Sequence, residues 1–152
     1  MLDKGYKATT VDEVCNDAGV TKGGFFYFFK NKEDLGQQLI TRFSHKNNEY
    51  LMSKVLVAGS TPLDRVYAYI DATIKISKNP ENRGCLIGTF AQELHDSYPE
   101  IQATCGAIFR EFISAFKKDL QAAKKVHASN KKIDTEGLAS ILYPRFKDLQ
   151  FL

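Results

Sequence analysis

Apolar residues recur along this chain at spacings of three and four, and no stretch alternates long enough to make a convincing strand. That period predicts helices throughout. Val11, Val14, Cys15 and Ala18 form the first short stripe. Thr10 precedes it and Glu13 follows three places later, the pair that makes a capping box. Gly19 suits the left-handed position just past a helix end. Thr21 caps a second helix at once, so two short helices are joined by a turn of about three residues containing glycine, a helix-turn-helix pattern. Asn31, with Asp34 three places on, caps a third helix beginning near Lys32. Leu35, Leu39, Phe43, Tyr50, Leu51 and Val55 keep it helical to about Leu56.

Ala58-Gly59-Ser60-Thr61-Pro62 is a clear break, with Thr61 as cap and Pro62 at the favoured first helical position. Leu63, Val66, Tyr67, Ile70 and Ile74 predict the face of the next helix, which stops at Asn79-Pro80. Cys85 to Leu94 is apolar nearly all round and should be central to its domain. Tyr98-Pro99 opens a long helix striped by Ile101, Cys105, Ile108, Phe109, Phe112, Phe116 and Leu120. Asp134 or Thr135 caps a last helix carrying Leu138, Ile141, Leu142, Phe146 and Leu149, which Pro144 should kink or end. At the other end, Met1 to Lys7 reads as the last turn of a helix stopped by Gly5. The fold class is all-α.

The second predicted helix is unusual. Five of the six residues from Phe25 to Lys30 are aromatic, and a helix of about two turns can bury only half its circumference. Phe29 and Phe26 are expected in the core, with Tyr27 and Phe28 exposed. Exposed rings beside Lys22, Lys30 and Lys32 suit a surface that meets a polyanion bearing apolar edges, such as thymine methyls beside phosphates. Charge runs the same way. Residues 1–19 set Lys4 and Lys7 against Asp3, Asp12, Glu13 and Asp17; residues 20–46 set Lys22, Lys30, Lys32, Arg42 and Lys46 against Glu33 and Asp34. The basic bias begins at the turn before the second helix.

Ala8 to Val14, Ala18-Gly19-Val20-Thr21-Lys22-Gly23 and Phe25 to Glu33 resemble the DNA-binding domain of the tetracycline-repressor (TetR) family, densely over about the first 45 residues. The resemblance implies a homeodomain-like helix-turn-helix followed by a divergent helical ligand-binding and dimerisation domain, in a bacterial, homodimeric one-component regulator. Repression of a near-palindromic operator, relieved by a small-molecule effector, is the family's usual habit. It implies phosphate contacts from Thr10, Lys22, Tyr27 and Lys32, and places Thr21, Gly23, Gly24, Phe25 and Phe28 on the face that meets base edges. The helix from Lys32 to Leu56 would transmit ligand state. This chain departs from the pattern at Gly24, where threonine or serine is usual, and in Phe26-Tyr27-Phe28, which lacks polar groups the family often carries. Readout should therefore lean on apolar contact and close backbone approach. Most of the family's first helix is also missing, as expected of a start set too late, a cut chain or a shortened gene product. Gly84-Cys85-Leu86-Ile87-Gly88 resembles the C-terminal domain of one TetR subgroup.

With 152 residues, 43% hydrophobic and 26% charged, the composition is that of a globular chain with room for a small reader and a helical second domain. The expected division is 1–46 and 47–152. No apolar run approaches the roughly 18 residues a membrane-spanning helix needs, so cytoplasmic location and no membrane partner are expected. Cys15, Cys85 and Cys105 lack metal-ligand spacing and read as reduced thiols, with a redox pair of Cys85 and Cys105 as the alternative. His45, His95 and His127 are scattered, and Glu93, His95 and Asp96 face different ways on a helix, so no enzyme, metal or cofactor is expected. Lys117, Lys118, Lys124, Lys125, Lys131 and Lys132 read as a solvated helix end. Tyr69, Phe90, Gln92 and Phe109 are candidate contacts for the effector, between helices of the second domain. The competing reading is a shortened helical ligand-binding or interaction protein that no longer reads DNA.

Overall fold

The structure, a computed structural model, describes residues 1, 4–58, 61–79, 84–94 and 96–142, and of residues 55–58 and 142 the backbone only. The described residues form seven helices and no strand: α1 (Val11–Ala18), α2 (Lys22–Phe28), α3 (Lys32–Ala58), α4 (Pro62–Ser77), α5 (Leu86–Glu93), α6 (Pro99–His127) and α7 (Thr135–Leu142). The all-α expectation holds. Pro144 and the apolar positions after it lie outside the described residues.

Local chemistry sets most of these ends. Thr10 accepts from the Glu13 N–H, while the Glu13 carboxylate accepts from the Thr10 N–H, closing the capping box. Gly19 sits at φ 65°, ψ 30°. Its N–H donates to the Asn16 carbonyl and that of Val20 to the Cys15 carbonyl, the paired bonds of a Schellman end. Thr21, Asn31 and Thr61 each accept from the N–H three residues on. The Gly5 N–H donates to the Met1 carbonyl, and Gly5 turns to φ 84°; the helical turn expected before it runs through residues 2 and 3, outside the described residues.

Two compact units arise, residues 1–45 with 83–106, and residues 46–82 with 107–152. Compactness places α5 and the start of α6 in one unit with α1 and α2, a grouping that the expected division into 1–46 and 47–152 does not contain. In the first unit Cys15, Phe25 and Leu35 form one cluster, flanked by Val11, Val14, Phe29 and Leu39. Tyr6 forms a second focus: its ring meets Phe90 and Tyr98 edge-on, with centroids 5.1 and 5.3 Å away. Each such pair contributes about 0.5–1.5 kcal/mol beyond burial. Gly36 lets α3 cross this ring, since a Cβ there would lie 2.9 Å from Tyr6 Cε2 and 3.2 Å from Ile101 Cδ1. Apolar on most of its surface, α5 buries Leu86, Ile87, Phe90 and Ala91, while Gln92 is exposed.

The second unit packs Leu51, Val66, Tyr69, Ala72, Phe116 and Ala139. Arg65 clasps Asp119 through Nε at 3.0 Å and Nη2 at 2.6 Å. Here two expectations need correction. On α4 the inward face is Val66, Tyr69 and Ala72, whereas Tyr67 and Ile74 face solvent. On α7 it is the small Ala139 that is buried, and Leu138 and Ile141 are exposed. In both helices the neighbours admit the residue whose shape fits, which need not be the most apolar.

Candidate nucleic-acid interface

Everything at the tip of the first unit depends on how α2 is held. Its turn geometry comes from Gly19 and its start from Thr21, and its roll is fixed by Phe25, which is 2% exposed against Cys15 and Leu35. Burying a ring of this size stabilises by about 1.5–3 kcal/mol. Phe29 lies four residues on, half-buried, with its ring 5.2 Å from that of Phe25. Once this pair points inward, the remaining rings must point out.

They do. Phe26 is 55% exposed, Tyr27 82% and Phe28 71%, joined by Val20 from the turn. Tyr27 and Phe28 meet edge-on at 4.9 Å and so hold each other in place. The expectation that Phe26 is core and that Phe25 belongs to the exposed face is reversed. Five adjacent aromatics look alike in sequence, and only the positions of Cys15 and Leu35 decide which one turns inward. The signal was present in part: Phe26 falls four places after Lys22 and so shares its face.

Thr10, Thr21, Lys22 and Gly23 are exposed and Gly24 half-exposed, beside the rings. Neither glycine is required from within: a Cβ on Gly23 would find nothing nearer than Thr21 Oγ1 at 3.8 Å, and one on Gly24 the same atom at 3.4 Å. Both lower helix propensity by up to about 1 kcal/mol relative to alanine, and both leave bare backbone open at the surface of α2. Lys22 Nζ lies 2.7 Å from Asp12 Oδ1, and that hydrogen bond raises the lysine pKa. The pair is open to water and screened, so Lys22 can exchange Asp12 for another anion. Glu13, held by Lys4 and by the Thr10 cap, has its carboxyl pKa lowered to about 2. Asp34 is likewise lowered, chiefly by the Lys30 N–H that it accepts at 2.9 Å.

Lys32 does not join this face. Its Nζ donates to the carbonyls of Thr9 at 2.9 Å and Tyr6 at 3.1 Å, and stands 4.5 Å from the centre of the Tyr6 ring. Where the resemblance implies a phosphate contact from Lys32, the structure has it as a strut that ties α3 to the segment before α1. Of the candidate effector contacts, Phe90 and Gln92 belong to the first unit, Tyr69 and Phe109 to the second. Phe90 is fully packed against Tyr6, Gln92 is exposed and Tyr69 stacks on Phe116 at 5.0 Å. Cys15 and Cys105 are buried and Cys85 exposed; burial pushes the Cys105 thiol up to about 12, where it stays protonated. Among the described residues no cluster of His, Cys, Asp or Glu could hold a metal, and no helix is long and apolar enough to cross a membrane.

Comparison with known proteins gives this geometry a context. Residues 1–39 match the family of bacterial regulatory proteins, tetR family, and residues 62–146 match the tetracyclin repressor-like C-terminal domain. The HTH-type transcriptional repressor DhaR of Mycobacterium sp. (strain GP1) is 26% identical over 142 residues, 93% of this chain and 70% of DhaR. The transcriptional regulator AcuR of Cereibacter sphaeroides is 33% identical over 95 residues, 62% of this chain and 43% of AcuR. The crystal structure of regulatory protein TetR from Rhodobacter sphaeroides superposes with a TM-score of 0.78 at 25% identity, covering 93% of this chain and 76% of that one. The reduced form of E. coli NemR gives the same score at 21% identity, covering 97% and 77%, and shares the fold.

Proposed function

This chain belongs to the TetR family of bacterial regulatory proteins, and from that premise we propose that it is a ligand-responsive DNA-binding repressor of transcription, acting in the cytoplasm as a homodimer and catalysing no reaction. Two copies of α2 enter successive major grooves of a near-palindromic operator. Phe26, Tyr27 and Phe28 meet thymine methyls and sugar edges, Gly23 and Gly24 bring the backbone close, and Thr10, Thr21 and Lys22 contact phosphates and neighbouring base edges. A small molecule binding beside Tyr69 and Phe109, or against Gln92 and the α5 helix that carries Phe90, shifts the population between DNA-competent and incompetent states. The exposed Leu138 and Ile141 on α7 supply the dimer face.

The observation that carries this reading is the set of three solvated rings on a short helix locked by one buried ring, beside an exchangeable lysine. Light scattering of the purified chain, alone and with DNA from upstream of its own gene, tests it. A dimer that forms a complex of defined mass is expected. A monomer with no complex at low salt overturns the reading in favour of a helical ligand-binding or interaction protein that no longer reads DNA.

A further inference from the structure

Glu93 is the last residue of α5, and its carboxylate is aimed at main chain far away in sequence. Oε2 accepts from the Tyr6 N–H at 2.7 Å and Oε1 from the Lys7 N–H at 2.6 Å. Such bonds to a carboxylate are about twice as strong as neutral ones. Gly5 makes room for it, because a Cβ there would stand 2.7 Å from Oε2, and its φ of 84° turns the chain so that both N–H groups point the same way. From the other side, Lys32 holds the carbonyls of Tyr6 and Thr9. Thr9 closes the segment on itself through Oγ1 to the Gly5 carbonyl at 2.7 Å. The Tyr6 and Lys7 N–H groups are thus on a carboxylate from α5, and the Tyr6, Lys7 and Thr9 carbonyls on an ammonium from α3. The next residue, Thr10, is the N-cap of α1.

We propose that Glu93 is a positioning residue that couples α5 to the helix-turn-helix: the carboxylate clamp on Tyr6 and Lys7 fixes where α1 starts, and a displacement of α5 reaches α2 through it. This route is separate from the α3 helix itself. It deepens the regulator reading and rests on it for its biological use. A shift of α5 by an ångström breaks two short, directed bonds at once, which makes the clamp a two-state element of the kind that coupling needs. Elsewhere α5 is held by apolar packing, which tolerates small sliding. At its last residue it is bonded to the chain that leads into α1.

Amide hydrogen exchange along the chain, combined with binding to upstream promoter DNA over a series of salt concentrations, tests the clamp in Glu93→Ala, Glu93→Gln and a control at the exposed Ser97, Ser97→Ala. Glu93→Ala should raise exchange at residues 6–28 by at least about tenfold, since both charge-assisted bonds are lost and one alone contributes about that much, and leave residues 86–105 protected. Its promoter affinity should fall about as much with the salt slope unchanged, because the phosphate contacts are intact. Glu93→Gln keeps a neutral acceptor and should fall between Glu93→Ala and the original chain, whereas Ser97→Ala should match the original chain. Exchange in Glu93→Ala that is unaltered over residues 10–28, or that rises equally over residues 86–105, overturns the coupling. If the original chain binds no promoter DNA, the regulator reading falls, and the exchange pattern alone still decides the clamp.

Discussion

Both α2 and α7 leave large apolar side chains in water, and they rest on different foundations. Phe25 anchors α2 as one large buried ring, with cations and two unneeded glycines around the solvated Phe26, Tyr27 and Phe28. Ala139, a single methyl, anchors α7, which displays Leu138 and Ile141 and carries no Lys or Arg of its own. Exposure alone would describe the two alike. The surroundings separate them: rings beside exchangeable cations and bare backbone suit a polyanion with apolar edges, whereas aliphatic side chains on a helix that has no Lys or Arg of its own, and whose Glu136 already holds Lys117, suit another protein surface. The anchors say how rigidly each face is presented.

Replacing the anchors breaks the comparison most severely. Phe25→Ala should destabilise the first unit by about 3–5 kcal/mol, the usual loss for a buried phenylalanine. That is a large share of the total stability of a small domain. Ala139→Leu should overpack the second unit by about 1–3 kcal/mol. Denaturant melts of both variants check the order. An Ala139→Leu variant that loses more than Phe25→Ala would mean that α7, and not α2, is the more tightly seated helix.

Replacing the displayed side chains sharpens it. Tyr27→Ala and Phe28→Ala should each change stability by no more than about 0.5 kcal/mol, as surface substitutions do, yet weaken operator binding. Ile141→Lys should leave DNA contacts alone and lower the dimer fraction in sedimentation. If Tyr27→Ala and Phe28→Ala both keep full affinity, the solvated rings are not the reading face.

The local chemistry of these helices was legible in the sequence because it is written within four residues: Thr10 with Glu13, Gly19 after Ala18, and Pro62 after Thr61 all behave as their types require. What was not legible is roll. Phe25 and Phe26 are the same residue, and the choice between them belongs to Cys15 and Leu35; the same holds for Tyr67 against Tyr69 on α4. Glu93, as a sequence motif, suggests only a poor metal ligand. Its partners are 86 and 87 residues away, and they are backbone amides, which no side-chain pattern reveals.

The two lysines of the motif give a smaller and cleaner test of what belongs to the displayed face. Lys22→Ala should weaken operator binding and reduce the slope of log affinity against log salt by about one, the loss of a single phosphate contact. Lys32→Ala removes the hydrogen bonds to Tyr6 and Thr9, so it should destabilise the first unit with that slope intact. Titrations of promoter DNA at several salt concentrations separate them. An equal change of slope in both variants would return Lys32 to the phosphate face.

The smallest expected effect concerns Glu13, which closes the cap of α1 and so sets the base on which α2 is displayed. Its pKa in the folded chain is lowered to about 2 from 4.5, first by the hydrogen bond from Lys4 and then by those from Thr10. A folded-state pKa below the unfolded one means that the carboxylate favours folding wherever it is ionised in both states. The contribution is therefore complete above pH 4.5 and is lost as pH falls toward 2. Because the group is open to solvent, its interactions are screened and the effect is modest. The melting-temperature difference between the original chain and Glu13→Gln should be constant from pH 7 to about 5 and shrink below that. A difference that is the same at pH 2.5 as at pH 6 would show that the carboxylate titrates alike in the folded and unfolded chain, and that α1 is capped by Thr10 alone. α7 provides the contrast within the same molecule, because Asp134 accepts from the N–H groups of Glu136 and Gly137 with no lysine bonded to it among the described residues.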